Sequence, residues 1–377
     1  MGKIKERLLE RGRGVVIYGP RQAGKTTLVN MLIEEIPGKT LFLNGDLGGE
    51  WMTVLQSREI TNIRLLVAQQ NTLVVDEAQR IPNIGLILKI IIDNFPDLKV
   101  IVTGSSSLDL ANKVSEPLTG RVYTYRLLPL STQELSFKHS PHGMDEQLEH
   151  RLIYGSYPET FSYQGGDKKA EYLRELKEKY LYKDILELGD VRNAMKIADL
   201  LKLLAFQVGS QVSIAEIAAR IGLSRGATER YIDLLEKSFV IFRLRGFSRN
   251  LRNEVGKMDK IYFYDLGVRN AIINNFSLLV DRNDVGALWE NFLIAERLKN
   301  IESERLDLGR YFWRLSTGAE IDYVEEWGGK LVGYEFKRGR KFGKKPESWT
   351  KGYPEAKYMT VNRNNWLQFV GGIDEKI

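Results

Sequence analysis

The sequence contains no cysteine. Disulfides and thiolate metal sites are therefore excluded. Histidine is scarce as well: His139, His142 and His150 are the only three, too few for a histidine-based metal centre. Any metal is expected to sit on oxygen ligands, which favours magnesium or manganese. The opening MGKIKERLLERGRG is charged and has no apolar signal core. Long hydrophobic runs are missing too. The most apolar stretch, Ile84 to Ile92, is too short to span a bilayer and is interrupted by Lys89. A cytoplasmic protein with no membrane partner is expected.

What is present is an ordinary globular composition, with 43% apolar and 28% charged residues. A chain of 377 residues exceeds the size of one core, so two to four domains are expected. Fifty-five basic against 49 acidic side chains give a net charge of +6, a mild pointer to a polyanionic partner.

The strongest motif begins at Gly14. Val15, Val16 and Ile17 read as a buried strand, Gly19 to Thr26 fit G-x-x-x-x-G-K-[ST], and Leu28, Met31, Leu32 and Ile36 mark an apolar-periodic helix. Strand, glycine loop and helix in that order are the setting of a phosphate-binding loop. Gly19, Pro20, Arg21, Gln22, Ala23, Gly24, Lys25, Thr26 and Thr27 would cradle ATP or ADP. The backbone N–H groups and helix dipole would hold the phosphate chain. Lys25 would reach the outer phosphates, and the Thr26 hydroxyl would bind magnesium.

The run NTLVVDEAQ supplies acids. Leu73 to Val75 form a strand ending in Asp76, expected in the magnesium shell, and Glu77, expected to orient or deprotonate the attacking water. Another strand, Lys99 to Val102, leads into TGSSS, where Thr103 or Ser105 would lie beside the γ-phosphate; the alternative is a plain polar loop. Arg121 precedes a fifth strand. It is either a surface arginine or a finger acting on a neighbouring subunit, which would require a homo-oligomer.

GPRQAGKT, VVDEAQ, TGSSS and the Gly120-Arg121 pair resemble the AAA+ superfamily of P-loop ATPases. The resemblance implies an α/β fold with a parallel sheet, strands at Thr40 to Asn44, Leu73 to Asp76, Val100 to Thr103 and Val122 to Arg126, and a helical lid. Within IYGSYPETF, Gly155 and Pro158 loosely match an element placed against adenine in related ATPases; a proline-terminated turn is the alternative.

Asp167 to Leu188 is charged and helical by period, with Tyr172, Leu176 and Tyr180 at four-residue steps. Beyond it, Ser213 and Glu216 suggest a capping box, Gly222 a break, and Ser224 a second cap with Tyr231, Leu234 and Leu235 turned inward. With the strand Val240 to Leu244, this resembles a winged helix. Arg225, Arg230, Arg243, Arg245, Arg249 and Arg252 could meet DNA phosphates, although Glu229 and Asp233 would oppose them; the alternative is a module that packs on the ATPase.

Near the end, AEIDYVEEWGGKLVGYEFK reads as two strands around a Gly328-Gly329 turn. A two-residue turn sets Trp327 opposite Lys330, Val324 opposite Gly333, Asp322 opposite Glu335 and Glu320 opposite Lys337. Asp322, Glu335 and Lys337 then share one face, and Val332, Tyr334 and Phe336 the other. Facing carboxylates repel unless a cation lies between them, so Asp322 and Glu335 could hold a second magnesium beside Lys337. Gly333 would leave room for close approach. The pattern resembles the PD-(D/E)XK nuclease fold, which implies a third acid on the preceding helix: Glu290, with Glu296 as fallback. A retained fold without cleavage is the alternative. The loop KRGRKFGKK, six basic residues in nine with Phe342 inside and Trp349 after it, would suit a phosphate backbone or simply be solvated.

Nearly the whole chain resembles prokaryotic ATP-binding proteins that join these modules. The implied organisation is an AAA+ P-loop ATPase core at 1–134, a helical lid at 135–192, a winged helix at 193–256 and an α+β nuclease-like domain at 257–377. The expected function is magnesium-dependent ATP hydrolysis coupled to DNA binding or remodelling. A nucleotide-dependent switch with a protein partner, and an ATP-gated nuclease, remain alternatives.

Overall fold

The computed structural model describes residues 1–105, 118–181, 194–248, 258–339 and 343–371. It divides into two units, Met1–Leu128 with Lys237–Phe239, and Pro129–Glu236 with Val240–Ile377. The expected boundary at 134/135 falls inside the helix Thr132–Ser136, whereas those at 192/193 and 256/257 lie outside the described residues.

The first unit is built on a sheet of β1 (Gly14–Tyr18), β2 (Thr40–Asn44), β3 (Thr72–Asp76), β4 (Lys99–Gly104) and β5 (Val122–Arg126). The order is β2-β3-β4-β1-β5, and every pairing is parallel. Central strands of such a sheet are covered on both faces and so read as unbroken apolar runs. Val74 and Ile101 pack on one side with the helix Lys25–Glu34, and Leu73, Val75, Val100 and Val102 on the other with Ile84–Asn94. Ile84, Ile87, Leu88 and Ile91 of the latter helix are all buried, which accounts for the most apolar segment of the chain. Parallel strands bring all their carboxyl ends to one edge, where open α/β sheets bind ligands.

The second unit opens with helices. Ser131 and Glu134 close a full capping box before Thr132–Ser136. Pro141–Tyr154, Pro158–Ser162 and Gly166–Leu176 follow, the last continuing as a π turn through Lys177–Leu181. The rest of the expected Asp167 to Leu188 helix lies outside the described residues. Ser213 caps Ile214–Ile221, with Gly222 beyond it in the left-handed conformation. Glu216 pairs instead with Arg220 at 3.2 Å, so only half of the expected capping box forms. On the helix Arg225–Lys237 the buried residues are Thr228, Ile232 and Leu235; Tyr231 and Leu234 are half-buried, which rotates the inward face from the expected one.

A six-stranded mixed sheet completes this unit: β6 (Ile241–Gly246), β7 (Lys260–Phe263), β8 (Gly309–Arg314), β9 (Glu320–Trp327), β10 (Lys330–Phe336) and β11 (Lys357–Val361), ordered β11-β10-β9-β8-β6-β7. β6 thus pairs antiparallel with β7 and parallel with β8. The β9–β10 register follows the expected turn from Lys330↔Trp327 to Tyr334↔Tyr323. Gly328 and Gly329 both have positive φ, 52° and 79°, as the tight hairpin requires. Between Tyr311↔Val324 and Trp313↔Ile321, β9 runs one residue longer than β8, a β-bulge at Asp322–Tyr323. Strict alternation fails there, and Ile321 joins Val324, Leu331 and Trp349 in one core. Among the described residues no helix is long and apolar enough to cross a membrane.

Candidate functional site

The phosphate-binding loop lies between β1 and the helix Lys25–Glu34. Gly19 is required by crowding: a Cβ there would lie 1.9 Å from the Leu127 carbonyl oxygen. Gln22 and Gly24 take positive φ, 60° and 97°, which curls the loop over the helix start. That helix has no side-chain N-cap, so its first-turn N–H groups are left for an anion. Lys25 is only 5% exposed, and its Nζ donates to the carbonyls of Gly19 and Pro20 at 2.9 Å each. The ammonium is thereby placed against the start of the loop; Arg21 and Ala23 belong to the loop itself and Thr27 to the first turn of the helix.

Thr26 Oγ1 donates to Asp76 Oδ2 at 3.3 Å. A hydroxyl and a carboxylate oxygen this close can share one octahedral magnesium, so the residues fit the metal of a bound nucleotide. Asn44 donates to the same Oδ2 at 3.4 Å, and the Thr103 hydroxyl donates to Oδ1. Glu77 follows in the left-handed region, φ 50° and ψ 44°, its N–H donating to Thr103 Oγ1 at 3.3 Å. A non-glycine residue in this conformation is held there by its surroundings. Thr103 and Ser105 had been alternatives. Both are engaged: Thr103 with Asp76, and Ser105 with Gln79, a residue that sequence reasoning passed over.

Arg121 makes a two-pronged ion pair with Asp93 of its own chain, at 2.7 and 3.1 Å, which raises its pKa. Pro158 starts the helix Pro158–Ser162 in the second unit. Gly155, φ 72°, has a local reason to be glycine, because a Cβ would lie 2.1 Å from Asp265 Oδ1.

The second unit gathers a cluster of acids. Asp322 is pushed up to about 7, by burial first and then by Glu290 and Glu335, against a 2.7 Å hydrogen bond from the Phe336 N–H and the charge of Lys260. Glu290 accepts from Lys260 Nζ at 3.1 Å and from the Tyr262 hydroxyl at 2.5 Å. Lys260 is 2% exposed and also reaches Glu320 at 2.6 Å. Burial works against its charge, yet Glu290 and Glu320 raise its pKa. Lys337 pairs with Glu335 at 2.6 Å. Sequence reasoning thus brought together Glu290, Asp322, Glu335 and Lys337, but missed Lys260 and Tyr262; KIYFYD reads only as a buried strand.

Glu290, Asp322 and Glu335, expected to hold a second magnesium, act on one another, since Glu290 and Glu335 both raise the pKa of Asp322. Among the described residues no three Asp, Glu or His side chains are grouped to hold a metal ion. Two lysines, a tyrosine and a backbone N–H bond to them instead. Nor does Gly333 leave a gap: Ile321 and Trp349 fill the space beside it. Trp349, expected beside the basic loop, is fully buried and stacks edge-on with Trp313. Arg340, Lys341 and Phe342 of that loop lie outside the described residues, as do Arg249 and Arg252.

Glu296, the fallback acid, belongs to a different network. It pairs with Arg151 at 2.8 Å and Lys299 at 2.7 Å, and accepts from Thr132 Oγ1 at 2.7 Å. Burial raises its pKa, but these partners overcome it and hold the carboxyl at about 2. It is a structural anchor rather than a metal ligand.

Comparison with known proteins finds a family match over the stretch that holds the first site. Residues 11–136 match the AAA domain family. The chain carries an AAA domain. Residues 145–279 and 285–369 match two families described as domains of unknown function, DUF8612 and DUF4143. Two relatives are the uncharacterized proteins Rv2008c of Mycobacterium tuberculosis and MJ1544 of Methanocaldococcus jannaschii. The first is 27% identical over 335 residues, spanning 88% of this chain and 72% of that one. The second is 26% identical over 330 residues, spanning 82% and 71%. Among solved structures, the Thermotoga maritima RuvB Holliday junction branch migration motor aligns with TM-score 0.33 and 16% identity, over 64% of this chain and 89% of that one. A STAND protein with a tetratricopeptide repeat sensor from Pyrococcus horikoshii gives 0.32 and 14%, over 79% and 45%. Likeness this slight carries nothing about function.

Proposed function

We propose that this protein binds and hydrolyses ATP with magnesium and couples the turnover to DNA binding or remodelling. The observation that carries the ATPase reading is the meeting of Thr26 and Asp76 at the end of the loop that buries Lys25. When bound, magnesium would neutralise charge on the phosphates and stabilise the leaving group. Thr26 and Asp76 would hold it. The loop N–H groups and Lys25 bind and orient the phosphates, and Glu77, its backbone N–H held by Thr103, orients water and takes its proton.

DNA is supported by less. The net charge is +6, and Arg225, Arg230 and Arg245 are exposed. Asp233, expected to repel phosphates, is neutralised by Arg243, which also pairs with Glu236 at 3.0 Å. The strand after the helix pair and its antiparallel partner are compatible with a winged helix. An ATP-gated nuclease is the weaker reading: Glu290, Asp322 and Glu335 act on one another as a cation site would need, but Lys260, Tyr262 and Lys337 already bond to these acids. Arg121 would serve a neighbouring subunit only after leaving Asp93.

ATP hydrolysis measured across single-stranded, duplex and branched DNA tests this reading. DNA should raise the rate. Turnover indifferent to every form would end the DNA coupling, and tightly retained ADP with negligible turnover would favour a switch acting on a protein partner.

A further inference from the structure

Gln79 lies two residues beyond Glu77, in the short 3-10 turn Ala78–Arg80. Its side-chain Nε2 donates to Glu77 Oε2 at 2.5 Å and to Ser105 Oγ at 2.9 Å. Its Oε1 in turn accepts from the Ser105 N–H at 3.4 Å. One amide therefore ties the Glu77 carboxylate to the residue that follows β4. β4 pairs with β1 up to Gly104↔Tyr18, and the Gly19 N–H donates to the Gly104 carbonyl at 3.3 Å. The Ser105 end of the tether is thus anchored beside the start of the phosphate-binding loop.

An untethered glutamate has three rotatable bonds. With its backbone in the left-handed region, nothing local fixes where the carboxylate ends up. The tether selects one direction, toward Ser105. A half-buried glutamine suits this role because its NH2 group donates twice while its oxygen accepts. A carboxylate here could not donate and would repel Glu77.

We propose that Gln79 is the positioning residue for Glu77, holding its carboxylate over the phosphate-binding loop through Ser105. The proposal rests on the reading of Glu77 as the water-orienting group. Misplacing a catalytic group by about 1 Å costs roughly 100-fold in rate.

The test measures ATP turnover and nucleotide affinity for wild type, Glu77→Gln, Gln79→Ala, Gln79→Glu, Ser105→Ala and the double variant Glu77→Gln/Gln79→Ala, each with a thermal melt. Gln79→Ala should lower kcat by about 10- to 100-fold and leave KM, nucleotide affinity and melting unchanged. Gln79→Glu, nearly the same shape, should be as slow or slower. Ser105→Ala should show a smaller loss of the same kind. In the Glu77→Gln background the Gln79 change should cost nothing further, since there is no carboxylate left to position. Wild-type kcat in Gln79→Ala, a faster rate, or a loss confined to nucleotide affinity would overturn the role of Gln79 alone. A wild-type protein without turnover would overturn the ATPase reading, and Glu77→Gln as active as wild type would overturn the water-orienting role of Glu77; this proposal falls with either.

Discussion

Lys260, on β7, holds Glu320, on β9, at 2.6 Å while its other side contacts Glu290 of the helix Val285–Glu304. A buried ammonium thus binds two strands and a helix that converge from distant parts of the sequence. Removing one member of such a pair strands the remaining charges. Lys260→Met should therefore destabilise the protein by about 3 kcal/mol. Chemical denaturation of the variant beside wild type checks this, and an unchanged midpoint would show that solvent screens the cluster.

Asp322 gives the cluster a pH signature. Its folded pKa, about 7, stands above the ordinary 3.8, so the native state holds a proton that the unfolded chain releases. Stability should fall as pH rises from roughly 4 to 7 and then level off. Asp322→Asn keeps an acceptor for the Phe336 N–H without the charge. It should match wild type near pH 4, pull ahead as pH rises, and exceed it most at pH 8 in urea melts. Parallel pH dependence in both proteins would contradict the assignment.

Glu296 has the opposite sign. Its carboxyl is held at about 2, below its ordinary 4.5, so its contribution is complete above about 4.5 and is lost as pH falls toward 2. Glu296→Ala leaves Arg151 and Lys299 buried without a counter-charge. A loss of about 3–5 kcal/mol at pH 7 is expected, measured by denaturant titration. A loss under about 1 kcal/mol would mean that the pair is exposed in solution.

The sequence made these two networks unequally visible. β2 and β5 were legible to the residue only through the resemblance to P-loop ATPases: both are edge strands, largely half-buried, and leave no continuous apolar run. The hairpin register was legible because Gly328-Gly329 admits one tight turn. Lys25, Asp76 and Glu77 came from local spacing, which one loop and one strand end preserve. Lys260, Tyr262 and Arg151 were not legible: their partners are long-range, and a charged residue on a buried strand carries no periodic mark. The bulge at Asp322–Tyr323 was invisible for a related reason, since its cause is the pairing with β8. Gln79 was overlooked because its partner Ser105 is distant in sequence, just past the end of β4.

The DNA reading makes its own quantitative claim. Arg225 and Arg230 are exposed on one helix. If both meet phosphates, Arg225→Ala with Arg230→Ala should weaken DNA binding evenly across sequences and reduce the slope of log affinity against log salt by about 2. Fluorescence anisotropy over a salt series measures that slope, and an unaltered slope would place DNA elsewhere on the surface.

Magnesium-dependent ATP turnover by wild type, Lys25→Ala and Asp76→Asn, with calorimetric ATP binding on the same preparations, addresses the central claim most directly. Wild type should bind and hydrolyse ATP, Lys25→Ala should lose binding, and Asp76→Asn should lose roughly 100-fold or more in turnover. A wild-type protein that takes up no ATP, or two variants that match it, would contradict the account.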